Sequence, residues 1–139
     1  MKIKGAIFDM DGTLLDSLGG WDALWDWCGE QFLGGQSFRP ALDVNKAVRT
    51  MVLLDALNYI HDLYGFGKNG QELLDYFNDT LPTLYAEKFD LKPGVREFLD
   101  YCLENGIKMV LASATERQYI DIALDRHGLR KYFEAVLSC

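Results

Sequence analysis

The sequence predicts an α/β protein: an incomplete parallel-sheet core, residues 1–15 and 90–139, interrupted by an all-helical insertion over 16–89. Three observations predict it. A short apolar run at the N-terminus ends in DMDGT, with two acids one residue apart. A second β-rich run, IKMVLAS at 107–113, ends in a small hydroxyl residue and lies between helical patterns. Between Asp16 and Phe89 the apolar spacing is helical, with no convincing strand. Strand, helix, strand, helix, strand outside the insertion is the signature of a parallel α/β layer.

Taken in order, residues 2–8 read as a buried strand through Ile3, Ala6, Ile7 and Phe8, stopped by Asp9, Asp11 and Gly12. Trp21, Leu24, Trp25, Cys28 and Phe32 mark one face of a helix that Gly34-Gly35 ends. Three Trp residues so close together fit either a stacking platform or a packed helical interface, and helical spacing favours the interface. A second, longer helix is expected over 40–64 from Val44, Val48, Met51, Val52, Asp55 and Tyr59, with GFGKNG at 65–70 as its stop. A third runs over 71–88 through Leu73, Leu74, Phe77, Leu81, Leu84 and Tyr85, kinked or split by Pro82. Pro93-Gly94 opens a helix carrying Val95, Phe98, Leu99, Cys102 and Leu103, closed by Asn105-Gly106. A helix over 116–127 turns Ile120, Ala123 and Leu124 inward, and Ala135-Val136-Leu137 begins the last strand.

A net charge of -7 argues against a nucleic-acid surface, which needs clustered Lys and Arg. No apolar run approaches the roughly 20 residues of a membrane span, and no secretory signal opens the chain. Cys28, Cys102 and Cys139 are scattered without metal spacing, which suggests reduced thiols in a cytoplasmic protein. His61 and His127 also lack ligand spacing; His127, before Gly128, suits a helix C-terminus.

In an open parallel sheet, ligands bind beyond the carboxyl ends of the strands. Asp9 and Asp11 lie past one such end and Ser113 at another. A plain strand exit explains one acid and the glycine, but not a second carboxylate brought close to the first. Ser113 precedes a helix whose free N–H groups favour an anion such as phosphate; alternatively it is an N-cap, with Glu116 completing a capping box. Two carboxylates beside an anion need a cation between them, and hard oxygen ligands with phosphate point to Mg²⁺. A calcium loop fails on spacing, because the positions needing Gly and Glu hold Leu14 and Gly20.

DMDGTLLDS, with LKPGV, LASAT and HGLRKYFEAVLS downstream, resembles the haloacid dehalogenase superfamily, and within it the β-phosphoglucomutase-like phosphatases and mutases. The resemblance implies a Rossmann-like core, with the helical insertion as a cap domain. It implies Asp9 as nucleophile, forming an aspartyl-phosphate, and Asp11 as general acid and base. The Asp9 carboxylate and Asp11, through its carbonyl, would hold Mg²⁺, with Ser113, Ala114 and Gly12 at the phosphoryl group. The expected substrate is a small phosphorylated metabolite, a sugar phosphate first, with a nucleotide or a phosphonate left open. Arg39, Lys46, Arg49, Lys68 and Lys88 are the cap cations that could reach it, or simply solvated charges.

The family completes its site with a lysine beyond the third strand and an acidic motif after the fourth; this sequence stops at Cys139, in the third. Neither Lys92 nor Lys131 stands at the lysine's position. The chain therefore reads as a fragment of a longer phosphatase-like protein, weak or inactive by itself. Its first strand would be left with an open edge that another chain could pair with. The competing readings are a non-catalytic phosphate-binding or regulatory module, and a helical interaction protein.

Overall fold

The structure, a computed structural model, describes residues 2–139. In chain order its elements are β1 (Gly5–Phe8), α1 (Gly20–Phe32), α2 (Leu42–Val48), α3 (Leu53–Tyr64), α4 (Gly70–Thr83), a π-helical turn (Leu84–Lys88), α5 (Val95–Glu104), β2 (Lys108–Ala112), α6 (Arg117–His127), a 3₁₀ turn (Arg130–Tyr132) and β3 (Ala135–Leu137). They form two compact units: Gly20–Leu81, and the chain up to Gly19 together with Pro82 onward. Residues 16–19 and 82–89 thus group with the sheet, whereas the sequence places them in the insertion. Backbone pairing supplies the reason. Asp16 N–H donates to Asp90 O at 2.8 Å and Lys92 N–H to Leu14 O at 2.9 Å, tying the outgoing chain to the returning one.

The sheet is parallel, in the order β1-β2-β3. Phe8 is level with Leu111, and Leu111 with Val136. β2 is the central strand, and its Met109 and Leu111 are buried. β1 is an edge. Ile7 is 77% exposed there, so β1 is not the buried strand that its apolar residues suggest. Ile120, Ala123 and Leu124 of α6 and Leu99 and Cys102 of α5 pack inward as expected, but Phe98 and Leu103 lie exposed.

In the helical unit, Leu24, Trp25 and Cys28 of α1 join Val44, Val48, Ala56, Leu57, Ile60, Leu73 and Phe77 in one core. The tryptophans belong to this packing. Trp21 stacks on Trp25 at 5.4 Å and Trp27 on Tyr76 at 3.8 Å. The single helix expected over 40–64 is two. The Thr50 N–H and hydroxyl both return to Ala47 O, at 3.1 and 2.8 Å, and Val52 is extended at ψ 138. A hydroxyl that satisfies the last-turn carbonyl competes with helix continuation. The break re-phases the buried face to Ala56, Leu57 and Ile60, leaving Met51, Val52 and Tyr59 exposed. The helix expected over 71–88 continues past Pro82, then widens: Phe89 N–H bonds Leu84 O at 2.9 Å, closing a five-residue step.

Candidate active site

Asp9 and Asp11 follow β1 directly, and Ser113 follows β2. With Phe8 level with Leu111, the three leave the sheet at the same carboxyl edge. The DMDGT turn is wound around one carbonyl: Met10 O accepts the N–H groups of Thr13, Leu14 and Leu15 at 2.9–3.2 Å. Gly12 makes this turn possible at φ 76, where a side chain would be strained. Its N–H is already donated, to Leu15 O at 2.9 Å and Ser17 Oγ at 3.1 Å. What Gly12 offers is the turn itself.

The two carboxylates stand in different surroundings. Asp9 is exposed, and one of its oxygens, Oδ2, accepts from the Thr13 hydroxyl at 3.2 Å. Asp11 is partly buried and held at both oxygens. Tyr85 donates its phenol to Oδ1 at 2.9 Å, and Thr115 its hydroxyl to Oδ2 at 2.5 Å. Tyr85 comes from the π-helical turn and is 6% exposed. Burial, then the neighbouring Asp11 charge, pushes its phenol well above the ordinary tyrosine range, so it stays a donor.

Ser113 is not the N-cap of α6. That helix starts at Arg117 with Glu116 at the cap position and no side-chain capping bond, so the capping box is absent. The Ser113 hydroxyl instead accepts Thr115 N–H at 3.2 Å, turning the loop so that Thr115 reaches Asp11. Ser113 is partly exposed and Ala114 exposed. His127 does more than face a helix end: its Nε2 lies 2.9 Å from Phe89 O, at the foot of the π turn. Arg126 donates to the same carbonyl at 2.9 Å.

Among the described residues, no three His, Cys, Asp or Glu side chains gather as a metal cluster. The oxygens that suit a hard cation are the Asp9 carboxylate and the Asp11 carbonyl, which the turn's N–H groups leave aside in favour of Met10 and Leu15. This oxygen-only set has the donor chemistry that suits Mg²⁺.

A family model for haloacid dehalogenase-like hydrolases matches residues 3–139. The chain belongs to the haloacid dehalogenase-like hydrolases. Within them it is similar to hexitol phosphatase B of Escherichia coli K12, 32% identical over 141 residues covering 99% of this chain. The chain spans 61% of the length of that protein. A Thermotoga maritima crystal structure assigned as a β-phosphoglucomutase superposes with TM-score 0.77 at 22% identity, over 98% of this chain and 61% of that one. The Bacillus subtilis hydrolase YfnB, solved bound to magnesium, matches with TM-score 0.71 at 15% identity, over 99% and 66%. At such identities the two structures establish the shared fold.

Sequence reasoning gave neither Tyr85 nor Thr115 a contact with Asp11. Tyr85 carries a core-type helical spacing, and Thr115 sits two positions beyond the residue that draws attention.

Proposed function

We propose that this hydrolase chain carries the catalytic edge of a Mg²⁺-dependent phosphatase or phosphomutase acting on a small phosphorylated metabolite. The observation that carries the reading is the contrast between the two carboxylates. Two acids whose surroundings differ this much are suited to two roles. Exposed Asp9 is the nucleophile and clamped Asp11 the general acid and base.

An Asp9 oxygen attacks phosphorus as the ester P–O bond breaks, and Asp11 gives its proton to the departing oxygen. A water then attacks the aspartyl-phosphate, passing its proton to Asp11 as the Asp9–phosphorus bond breaks. Asp9 and protonated Asp11 are regenerated, and phosphate leaves. Ser113 and Ala114, with Gly12 shaping the turn, receive the phosphoryl oxygens at the strand edge. The Asp9 carboxylate and the Asp11 carbonyl would hold Mg²⁺, which would supply charge neutralisation and orientation. With so sparse a protein donor set, turnover by residues 1–139 alone is slow.

Hexitol phosphatase B, and the 26%-identical phosphorylated carbohydrates phosphatase of Thermotoga maritima, support a sugar phosphate as the substrate class. We assign the helical unit Gly20–Leu81 the role of a cap that selects the leaving group. No helix among the described residues is long and apolar enough to cross a membrane. Cysteines free of disulfides support a cytoplasmic placement, and the net charge of -7 speaks against nucleic-acid partners. The test is hydrolysis of an aryl phosphate with and without Mg²⁺, in wild type, Asp9→Asn and Asp11→Asn. Metal-dependent turnover lost in both variants supports the reading. Phosphate binding without turnover favours the non-catalytic module.

A further inference from the structure

We infer that Tyr85 and Thr115 are positioning residues that lock the Asp11 carboxylate in one rotamer, Tyr85 anchoring one oxygen and Thr115 sharing the oxygen that exchanges the proton. This rests on Asp11 being the acid and base of the proposed reaction.

The two donors differ in freedom. The Tyr85 ring lies nearly parallel to Tyr119 at 5.5 Å and edge-on to Phe89 at 5.0 Å, and is buried. It cannot swing away without opening that stack. Its backbone belongs to the π-helical turn Leu84–Lys88, a geometry found often at functional sites. The widened turn sets the register at which residue 85 meets Asp11, 74 positions earlier in the chain. Thr115 is partly exposed in the loop between β2 and α6, held by its N–H to Ser113 Oγ. A threonine hydroxyl rotates, and it can donate to a carboxylate or accept from a carboxylic acid.

The oxygen bonded to Tyr85 is therefore the fixed one. The oxygen bonded to Thr115 can carry the proton, with the Thr115 hydroxyl rotating as Asp11 changes state. The carboxyl then keeps its direction through both half-reactions. Misplacement of a reacting group by about an ångström can cost about a hundredfold in rate.

The experiment reads the Asp11 χ1 rotamer from three-bond NMR couplings in wild type, Tyr85→Phe, Thr115→Val, Thr115→Ser and the double variant Tyr85→Phe/Thr115→Val. Aryl phosphate kinetics on the same proteins run alongside, with Asp9→Asn as control. Tyr85→Phe keeps the ring stack and Thr115→Ser the hydroxyl, so folding is preserved. Wild type and Thr115→Ser are expected to show one rotamer, the Phe and Val variants mixed rotamers, and the double variant full averaging. The turnover number is expected to drop about ten- to a hundredfold in the Phe and Val variants with KM within about twofold, and Thr115→Ser to retain it. A single unchanged rotamer in the double variant overturns the inference, even if Asp9→Asn is inactive and the phosphatase reading stands. Averaged rotamers in the variants with Asp9→Asn as active as wild type uphold the positioning and overturn the phosphatase reading instead.

Discussion

Asp11 and Thr115 are 104 residues apart in the chain and 2.5 Å apart at their side-chain oxygens. That bond joins the loop after β1 to the loop after β2, the two places where a parallel sheet presents chemistry. It joins two separate strand exits and, with Tyr85, holds Asp11, while Asp9 stays exposed.

Gly29 marks the tightest backbone approach in the helical unit. A Cβ there would lie 2.1 Å from Gln36 O and 3.2 Å from Phe38 N, both main-chain atoms that cannot step aside. Gly29→Ala is expected to destabilise by about 2–4 kcal/mol, read from the urea midpoint at unchanged slope. A cost under about 1 kcal/mol would mean that α1 and the 36–38 segment are not this close.

Cys28 sits in the same core with no exposed surface, and burial pushes its thiol up to about 12 from an ordinary 9.0. The folded state holds the proton more tightly than the unfolded state. The contribution is therefore complete below pH 9.0 and is lost as pH rises towards 12. Other groups titrate in this window, so the quantity to measure is the difference between wild type and Cys28→Ala. The advantage of wild type, about 2 kcal/mol or more near neutrality from core packing, is expected to shrink steadily above pH 9.0. A difference independent of pH contradicts the buried thiol.

The open side of β1 is expected to be a surface for self-association. Ile3 and Ile7 are exposed, and Ile3 also lines an apolar groove of about 370 Å³ with Ala6, Phe98, Tyr101, Cys102 and Ile107 among others. An edge strand carrying apolar side chains templates pairing with other chains, and an added lysine blunts it. Ile7→Lys is expected to lower the apparent mass in sedimentation at high concentration, with stability changed by less than about 0.5 kcal/mol. Unchanged association would place the contact elsewhere.

The cationic residues of the helical unit separate by their partners. Arg39, Lys46 and Lys68 are all exposed, and Arg39 is paired with Asp26 at 2.6 Å and Asp22 at 3.9 Å. Replacing either lysine by Ala is expected to shift preference among phosphorylated metabolites by up to about fivefold, leaving Mg²⁺ dependence intact. Arg39→Ala is expected to leave the preference unchanged. A screen of sugar phosphates against a nucleotide reads both, and an unaltered profile in the lysine variants removes them from substrate selection.

Most elements could be read from the sequence because their signals are local. Gly34-Gly35, Gly65, Gly106 and Gly128 end helices or turns at positive φ, where glycine is favoured, and Ala135-Val136-Leu137 is β3 to the residue. The strand-end acids were legible for the same reason. What was not legible depends on distant partners. The α2–α3 break turns on one hydroxyl bond from Thr50, and the periodicity of Val48 and Val52 runs across it. Tyr85 reads as one more apolar step of a helix until a π turn sets it against Asp11. The alternative reading of Ser113 as an N-cap rests on Glu116 being spaced for one, yet its hydroxyl serves Thr115 instead.

The central claim is that Asp9 takes the phosphoryl group. It is tested most directly by incubating the protein with Mg²⁺ and an aryl phosphate, quenching, and reducing any acyl phosphate with borohydride, which converts a phosphorylated aspartate to homoserine. Mass spectrometry then locates the product, and trapping requires only one turnover, so slow catalysis does not obscure it. Homoserine at position 9, absent without Mg²⁺ and absent in Asp9→Asn, is the predicted result. Homoserine at another position, or phosphate release by Asp9→Asn at the wild-type rate, would contradict it.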